Sequence, residues 1–439
     1  MSEQDTKREE FLEDENHHDW PSEKLDSILS KLLTGDRPTG GAHDQGEYIS
    51  IGGTQIDSEG YLDLHDLVYI PGEYFEKVSE TQLQRHDILM VKDGANTGDV
   101  AIAWEDRPDI VTNEHILTLR VRNNVNSPYV FYYLLSHEGW KQLKGTITGS
   151  AQAGINKSFT SKVDINLPPL EEQRKIASVL YTVDGAIQMT DEITEQTHYI
   201  KKGVIQDVFH GKHKSHDQYI STPVGEIPSH WEVASIGQVV DTAQYGISES
   251  LSEDGQYPVF RMNNIRNGYM IEDPMKYINL EDDKFDKYKL EKRDILFNRT
   301  NSLELVGKTG IYELGGKHVF ASYLIRLQTN EKVDPYYLNY YMNSTEAQNR
   351  MMAFATKGVS QANINATSIQ QVKLPLPPLE EQKQIAKRIK TFDEQIKVSR
   401  KYKSQLKHLK RGLIQDLITG KVCTEGRDIN VLSEVKIHE

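Results

Sequence analysis

Three sets of residues in this 439-residue chain have the types and spacing to carry chemistry. The first is Leu305-Val-Gly-Lys-Thr-Gly310. A Gly-Lys-Thr run can hold phosphate on backbone N–H groups and reach it with lysine, but the full pattern needs a further glycine five residues before Gly307. That position is Ser302, and the matching first-half loop ends in Thr97-Gly98-Asp99 without a lysine. The second set is Asp334-Pro-Tyr-Tyr337, one proline short of the Asp-Pro-Pro-Tyr loop of amino-methyltransferases. It aligns with Ser127-Pro-Tyr-Val130 and reads as a helix start. The third set is the 15 histidines. Neither His17-His18 nor His210 with His213 has further ligands at a metal-binding spacing, so surface histidines and no metal are expected. The single cysteine, Cys423, excludes an intrachain disulfide and a thiolate metal cluster. No catalytic residue is assigned, and the expectation is a reader or a scaffold with no cofactor of its own.

Polar loops remain. Val91-Lys-Asp-Gly-Ala-Asn-Thr-Gly98 and Phe297-Asn-Arg-Thr-Asn-Ser302 each follow a strand-like run. Gly149-Ser-Ala-Gln-Ala-Gly-Ile-Asn156 and Gly358-Val-Ser-Gln-Ala-Asn-Ile-Asn365 precede a pair of long helices. Phe260-Arg-Met-Asn-Asn-Ile-Arg266 has a first-half counterpart, Ile51-Gly-Gly-Thr-Gln55, without arginine. Arg or Lys can bond guanine O6 and N7, and Asn or Gln can bond adenine N6 and N7. The candidate DNA-reading residues are Lys92, Asn96, Gln152 and Asn156 in the first half. In the second half they are Arg261, Asn263, Asn264, Arg299, Asn301, Lys308, Gln361, Asn363 and Asn365. Each could equally be an ordinary turn or cap residue.

The elements that must position these loops are repeated. Leu167-Pro-Pro-Leu-Glu-Glu-Gln173 returns unchanged 209 residues later as Leu376-Pro-Pro-Leu-Glu-Glu-Gln382. Gln152-Ala153 and Ile155-Asn156 return as Gln361-Ala362 and Ile364-Asn365, and Ile205-Gln-Asp207 and Gly211-Lys212 as Ile414-Gln-Asp416 and Gly420-Lys421. Asp87-Ile-Leu89 returns as Asp294-Ile-Leu296, two residues out of step, which places small insertions in loops. After each repeated heptapeptide runs a helix of about 38 residues, near 57 Å at 1.5 Å per residue. Proline stands in the first turn, glutamates at the positive dipole end and glycine at C′. Apolar residues recur along one stripe: Ile176, Leu180, Val183 and Ile187, and Ile385, Ile389, Phe392 and Ile396. Such a helix needs a partner, and the other copy is the economical one, running antiparallel in a pseudo-two-fold arrangement. The globular halves read as mixed α+β, with strands at Glu47–Ile51, Asp87–Val91, Ile116–Val121 and Ser322–Leu327 and helices opening at Ser127-Pro128 and Asp334-Pro335.

The expected organisation is an acidic, disordered tail over 1–19, a first globular domain over 20–168, a first long helix over 169–212, a second domain over 213–378, a second long helix over 379–423 and a C-terminal tail over 424–439. The net charge of −14 is uneven. Residues 1–19 carry −6 and residues 20–168 carry −8, whereas 379–423 carry +7. Lysines and arginines off the second apolar stripe, among them Lys383, Lys387, Lys390, Lys397, Lys403, Lys407 and Lys410, suit a phosphate-contacting face. The N-terminus has no apolar signal core, and no run is long enough to span a bilayer, so a cytoplasmic protein is expected.

With the doubled Leu-Pro-Pro-Leu-Glu-Glu-Gln followed by Ile-Ala, the two Ile-Gln-Asp…Gly-Lys helix ends and the Gln-Ala-x-Ile-Asn loops, the chain resembles the specificity subunit of type I restriction–modification systems over residues 20–423. The resemblance implies two target recognition domains that each read half of a bipartite DNA site, and two helices that set the spacing. It implies docking of two modification subunits, which hold S-adenosylmethionine, and two restriction subunits, which use ATP and Mg. It also implies that this chain is non-catalytic. The contrasting reading, prompted by the acidity, is a protein–protein scaffold without DNA contact. A methyltransferase is disfavoured by the missing motifs.

Overall fold

The computed structural model describes residues 20–36, 43–147, 154–302, 305–357 and 362–436. The acidic segment 1–19, with His17 and His18, lies outside the described residues, as do Gln152 and Gln361. The chain forms two compact units: Met1–Asp191 with Lys401–Glu439, and Glu192–Arg400. Each unit therefore holds one globular domain, the start of one long helix and the end of the other.

In the first unit, strands Leu29–Thr34, Ile116–Val121, Ile88–Val91 and Val100–Ile102 form an antiparallel sheet in that order. A second sheet orders Val68–Ile70, Tyr48–Ile51, Arg107–Thr112 and Gln82–Leu83. In the second unit a six-stranded sheet runs Val240–Tyr245, Leu324–Thr329, Ile295–Asn298, Thr309–Ile311, Tyr269–Met270 and Ile265–Arg266. The strands expected around residues 48–51, 88–91, 116–121 and 322–327 are present. The repeated Asp-Ile-Leu explains itself locally. Asp87 and Asp294 each accept a backbone N–H three residues back, from Gln84 and Glu291, and turn the chain into the strand. Burial pushes both carboxyls up, against the pull of Arg120 and Arg326.

Each domain carries a tyrosine-rich helix, Ser127–Leu135 and Pro335–Met342. The cap of the first is Asn126 rather than Ser127. Its side chain accepts Tyr129 N–H at 3.0 Å, while the Ser127 hydroxyl donates to the His86 carbonyl at 2.6 Å. The second is capped by Asp334 as expected, through the N–H groups of Tyr336 and Tyr337, so this aspartate is a structural cap.

The long helices are Leu170–Val208, 39 residues, and Leu379–Ile418, 40 residues. Both end at glycines in the left-handed region, Gly211 (φ 72°) and Gly420 (φ 71°), a conformation glycine adopts without a Cβ penalty. In the first unit Lys403 pairs with Asp191 and Lys410 with Asp184, seven residues on along one helix and seven back along the other. The two stretches thus run antiparallel. Ile176, Ala177 and Leu180 share the domain core with Ile414, Leu417 and Ile418. In the second unit Val208 shares a core with Ile385 and Ile389, and Lys201 pairs with Asp393.

The repeated heptapeptide docks each domain onto its helix. Gln173 accepts the Asn126 N–H at 2.8 Å and donates to the Pro168 carbonyl at 2.8 Å. Gln382 does the same with Asp334 and Pro377, both at 2.8 Å. A second lock lies further along. Asp184 accepts the hydroxyls of Tyr61 and Tyr132, each at 2.8 Å, and meets Lys410 Nζ at 2.6 Å. Asp393 accepts Tyr340 at 2.8 Å and Tyr269 at 3.2 Å and pairs with Lys201. Burial, and then the neighbouring carboxylate, raises the Tyr61, Tyr132 and Tyr340 phenols well above their ordinary value, so they stay protonated and donate.

Residues 424–436 do not hang free. Val435 is fully buried in the first-unit core, and its carbonyl accepts Asn126 Nδ2 at 2.7 Å. Glu172, from the heptapeptide, accepts Thr424 N–H at 2.6 Å and the Thr424 hydroxyl at 2.5 Å.

Removing one member of a buried ion pair costs about 3–5 kcal/mol, whereas an apolar replacement of both is often neutral. Asp184→Leu should therefore destabilise the first unit by about that much, and Asp184→Leu with Lys410→Met should recover part of the loss. Urea unfolding followed through Trp20, Trp104 and Trp140 reads this unit. A double variant no more stable than the single one would refute the lock.

Candidate nucleic-acid interface

The two polar loops of each half, far apart in sequence, are joined in the structure. In the first unit Ile155 N–H donates to the Lys92 carbonyl at 2.7 Å, and Asp93 bridges Gly154. In the second unit Ile364 N–H donates to the Arg299 carbonyl at 2.8 Å, and Thr300-Asn301 pairs with Ala362-Asn363 as a short antiparallel ladder. Lys92 and Arg299 are thus equivalent positions. The repeated Ile-Asn supplies a buried anchor, Ile155 or Ile364, and then a cap. Asn156 accepts Ser158 N–H at 3.0 Å, and Asn365 accepts Ser368 N–H at 2.8 Å.

In the second unit these loops meet a third. Asn301 Nδ2 contacts Met262 Sδ at 3.3 Å, and its Oδ1 accepts Ser302 N–H. Arg299 donates to Asn363 Oδ1 at 3.2 Å and lies over the Tyr245 ring at 4.9 Å. Asn363 also donates to the Thr300 hydroxyl. Arg261 donates to the Pro274 carbonyl at 3.0 Å, while Asn263 and Lys308 are exposed. Arg261, Arg299, Asn301 and Asn363 therefore belong to one polar surface. Two exposed aromatics, Tyr245 and Tyr323, border it. Sequence reading missed both, because neither stands next to a basic residue in the chain.

Asn264 departs from the expectation. It is fully buried; its Oδ1 accepts Arg261 N–H at 2.9 Å and its Nδ2 donates to Pro274 at 3.1 Å. Gln55 closes the equivalent turn by accepting Gly52 N–H at 3.0 Å. Asn264 shapes the loop and has no amide group left for a base edge.

The first-unit surface is less basic. Lys92 Nζ stands 3.6 Å from Asp93, which also contacts His115. Asn96 donates to the carbonyls of Gly53 and Ile56 at 3.2 and 3.4 Å. The basic stripe on the second long helix also thins out. Lys410 is buried against Asp184, Lys403 pairs with Asp191, Lys407 with Glu59 and Lys390 with Glu313. These four lysines neutralise acids of their own units rather than presenting a free cationic face. The Gly307-Lys308 turn leads into strand Thr309–Ile311 rather than a helix, so it lacks the helix N-terminus on which phosphate loops rely.

Comparison with known proteins agrees with this layout. A family model described as the type I restriction modification DNA specificity domain matches residues 18–197 and again 228–408. The type I restriction enzyme MjaVIII specificity subunit of Methanocaldococcus jannaschii is 27% identical, over 79% of this chain and 82% of that one. The EcoKI specificity subunit of Escherichia coli K12 is 24% identical, over 75% and 72%. The crystal structure of the type I restriction–modification S subunit from M. genitalium shares the fold, with a TM-score of 0.57 at 15% identity, over 92% of this chain and 98% of that one. Two matches to one family model, one per repeat, cover most of the sequence: the chain belongs to the family of type I restriction–modification DNA specificity subunits.

Proposed function

We propose that each domain reads one half of a bipartite DNA site through the polar edge where its two loops join. The observation that carries this is the recurrence of that junction, Lys92 with Gly154–Asn156 and Arg299 with Ala362–Asn365, on dissimilar side chains. A common scaffold with different residues at the edge is what two readers of different sequences require. In the second unit, Arg299, Asn301, Asn363 and Arg261 face the bases, Asn263 and Lys308 lie within reach of the backbone, and the Tyr245 ring holds the Arg299 guanidinium in place. In the first unit the readers are Lys92, Asn96 and Asn156; Gln152, assigned with them from the sequence, lies outside the described residues. Phosphate contacts add affinity and register.

The remaining partners are the other subunits of a restriction–modification complex. Two modification subunits, carrying S-adenosylmethionine, dock on the long helices. The first unit leaves Met189, Tyr402 and Leu409 exposed on them, and the second Ile193, Tyr199, Ile200 and Val398. Two restriction subunits bring ATP, Mg and the nuclease. The complex works in the cytoplasm; no described helix is long and apolar enough to cross a membrane.

Losing a base-reading arginine costs about 1–3 kcal/mol at its own position. Methylation by the assembled complex, mapped on a library of sites, should show Arg299→Ala or Asn301→Ala relaxing one half-site only; equal loss at both halves would refute the assignment. A ruler made of helix makes a second demand. Seven residues inserted into both long helices add about 10 Å, or about three base pairs at 3.4 Å each. The non-specific gap should lengthen by that amount with both half-sites unchanged. Altered half-sites with an unaltered gap would exclude the helices as the spacer.

A further inference from the structure

Glu172 and Glu381 are the same residue of the repeated heptapeptide, both nearly buried. Their surroundings differ. Glu172 is satisfied by Thr424 through two hydrogen bonds. Glu381 faces the segment that follows the first long helix, and there the groups around it are nitrogen bases. His213 Nε2 lies 3.2 Å from Glu381 Oε1, and His216 Nε2 lies 3.8 Å from it. All three side chains are 10% exposed or less. His216 Nε2 and both ring nitrogens of His213 are buried without a hydrogen-bond partner, and the buried Glu381 Oε1 is paired with the Lys214 ammonium at 3.0 Å. One donor atom from each residue falls within a sphere where all lie within 4.8 Å of one another. A buried polar atom without a partner is costly, and the two Nε2 atoms that face Glu381 Oε1 call for a shared partner.

We propose that His213, His216 and Glu381 form a structural binding site for a divalent transition-metal ion of the zinc class. Two imidazoles and a carboxylate, with no thiolate, suit this class rather than Cu(I), Mg or Ca. Zinc bonds of about 2.0–2.1 Å in a tetrahedron put donors about 3.3 Å apart, which the closest pair here already satisfies. His230 Nε2, 3.5 Å from Glu381 Oε2, stands ready as a fourth ligand. Lys214 Nζ, 3.0 Å from Glu381 Oε1, is the competing cation, and its half-exposed side chain can swing into solvent. The metal would clasp the exit of the first long helix to the entry of the second within this unit, where the first unit uses threonine. Sequence spacing paired His213 with His210, but His210 bonds Glu346 and the Glu226 carbonyl instead. The true partners are three residues further on and 165 residues beyond that.

The test uses the full chain, stripped with a chelator and dialysed against Zn²⁺, with bound metal counted by mass spectrometry and Co²⁺ as the spectroscopic reporter. One retained equivalent is expected, with the visible absorption of four-coordinate cobalt. His213→Gln and His216→Gln should each weaken zinc binding by more than about 100-fold, beyond the effect of losing an outer-shell group. Lys214→Ala alters only a half-exposed side chain, so it should keep the fold and bind zinc at least as tightly. No retained equivalent in the unaltered chain, equal retention in both histidine variants, or weaker binding by Lys214→Ala would overturn the site.

Discussion

A nearly buried carboxylate fixes each domain on its helices. Asp184 sits on the first long helix, receives a lysine from the second and two phenols from the domain. Asp393 repeats the arrangement with Lys201, Tyr269 and Tyr340. No member can leave without stranding another, since an unpaired buried charge is far costlier than a paired one. The lock therefore specifies the register of the antiparallel stretch and the seat of the domain together. The apolar stripes supply burial but would tolerate sliding; the aspartates would not.

The heptapeptide adds a tie at the other end of each contact. Its proline opens the helix, its glutamine ties the helix start to the domain's capping residue, and its second glutamate receives whatever chain segment returns over it. This last role is filled by different chemistry in the two units, by threonine at Glu172 and by histidines at Glu381. Duplication thus preserved the geometry of the joint while the filling diverged, as it did at the reading edges, where Lys92 and Arg299 share one backbone position but not one environment.

Local signals were legible. Pro169, Pro378, Gly211 and Gly420 mark helix ends by backbone chemistry, and alternation marks the strand Ile116–Val121. Distant pairings were not. Lys410 reads as a solvated helix lysine until Asp184 and Tyr61 are brought beside it. Asn263 and Asn264 are adjacent and identical in type, yet one is exposed and the other fully buried, a difference set by the Pro274 carbonyl. Residues 424–435 carry no strong periodicity, and their docking depends on apolar and hydrogen-bonding partners from distant parts of the chain.

The first unit is discontinuous in sequence, whereas the second is one uninterrupted segment, Glu192–Arg400. Synthesis at about 5–20 residues per second means that the apolar faces of Ile176, Ala177 and Leu180 wait tens of seconds for Ile414, Leu417, Ile418 and Val435 to leave the ribosome. The domain made first is therefore completed last, and it is the one that most needs protection from aggregation while the nascent chain is still growing.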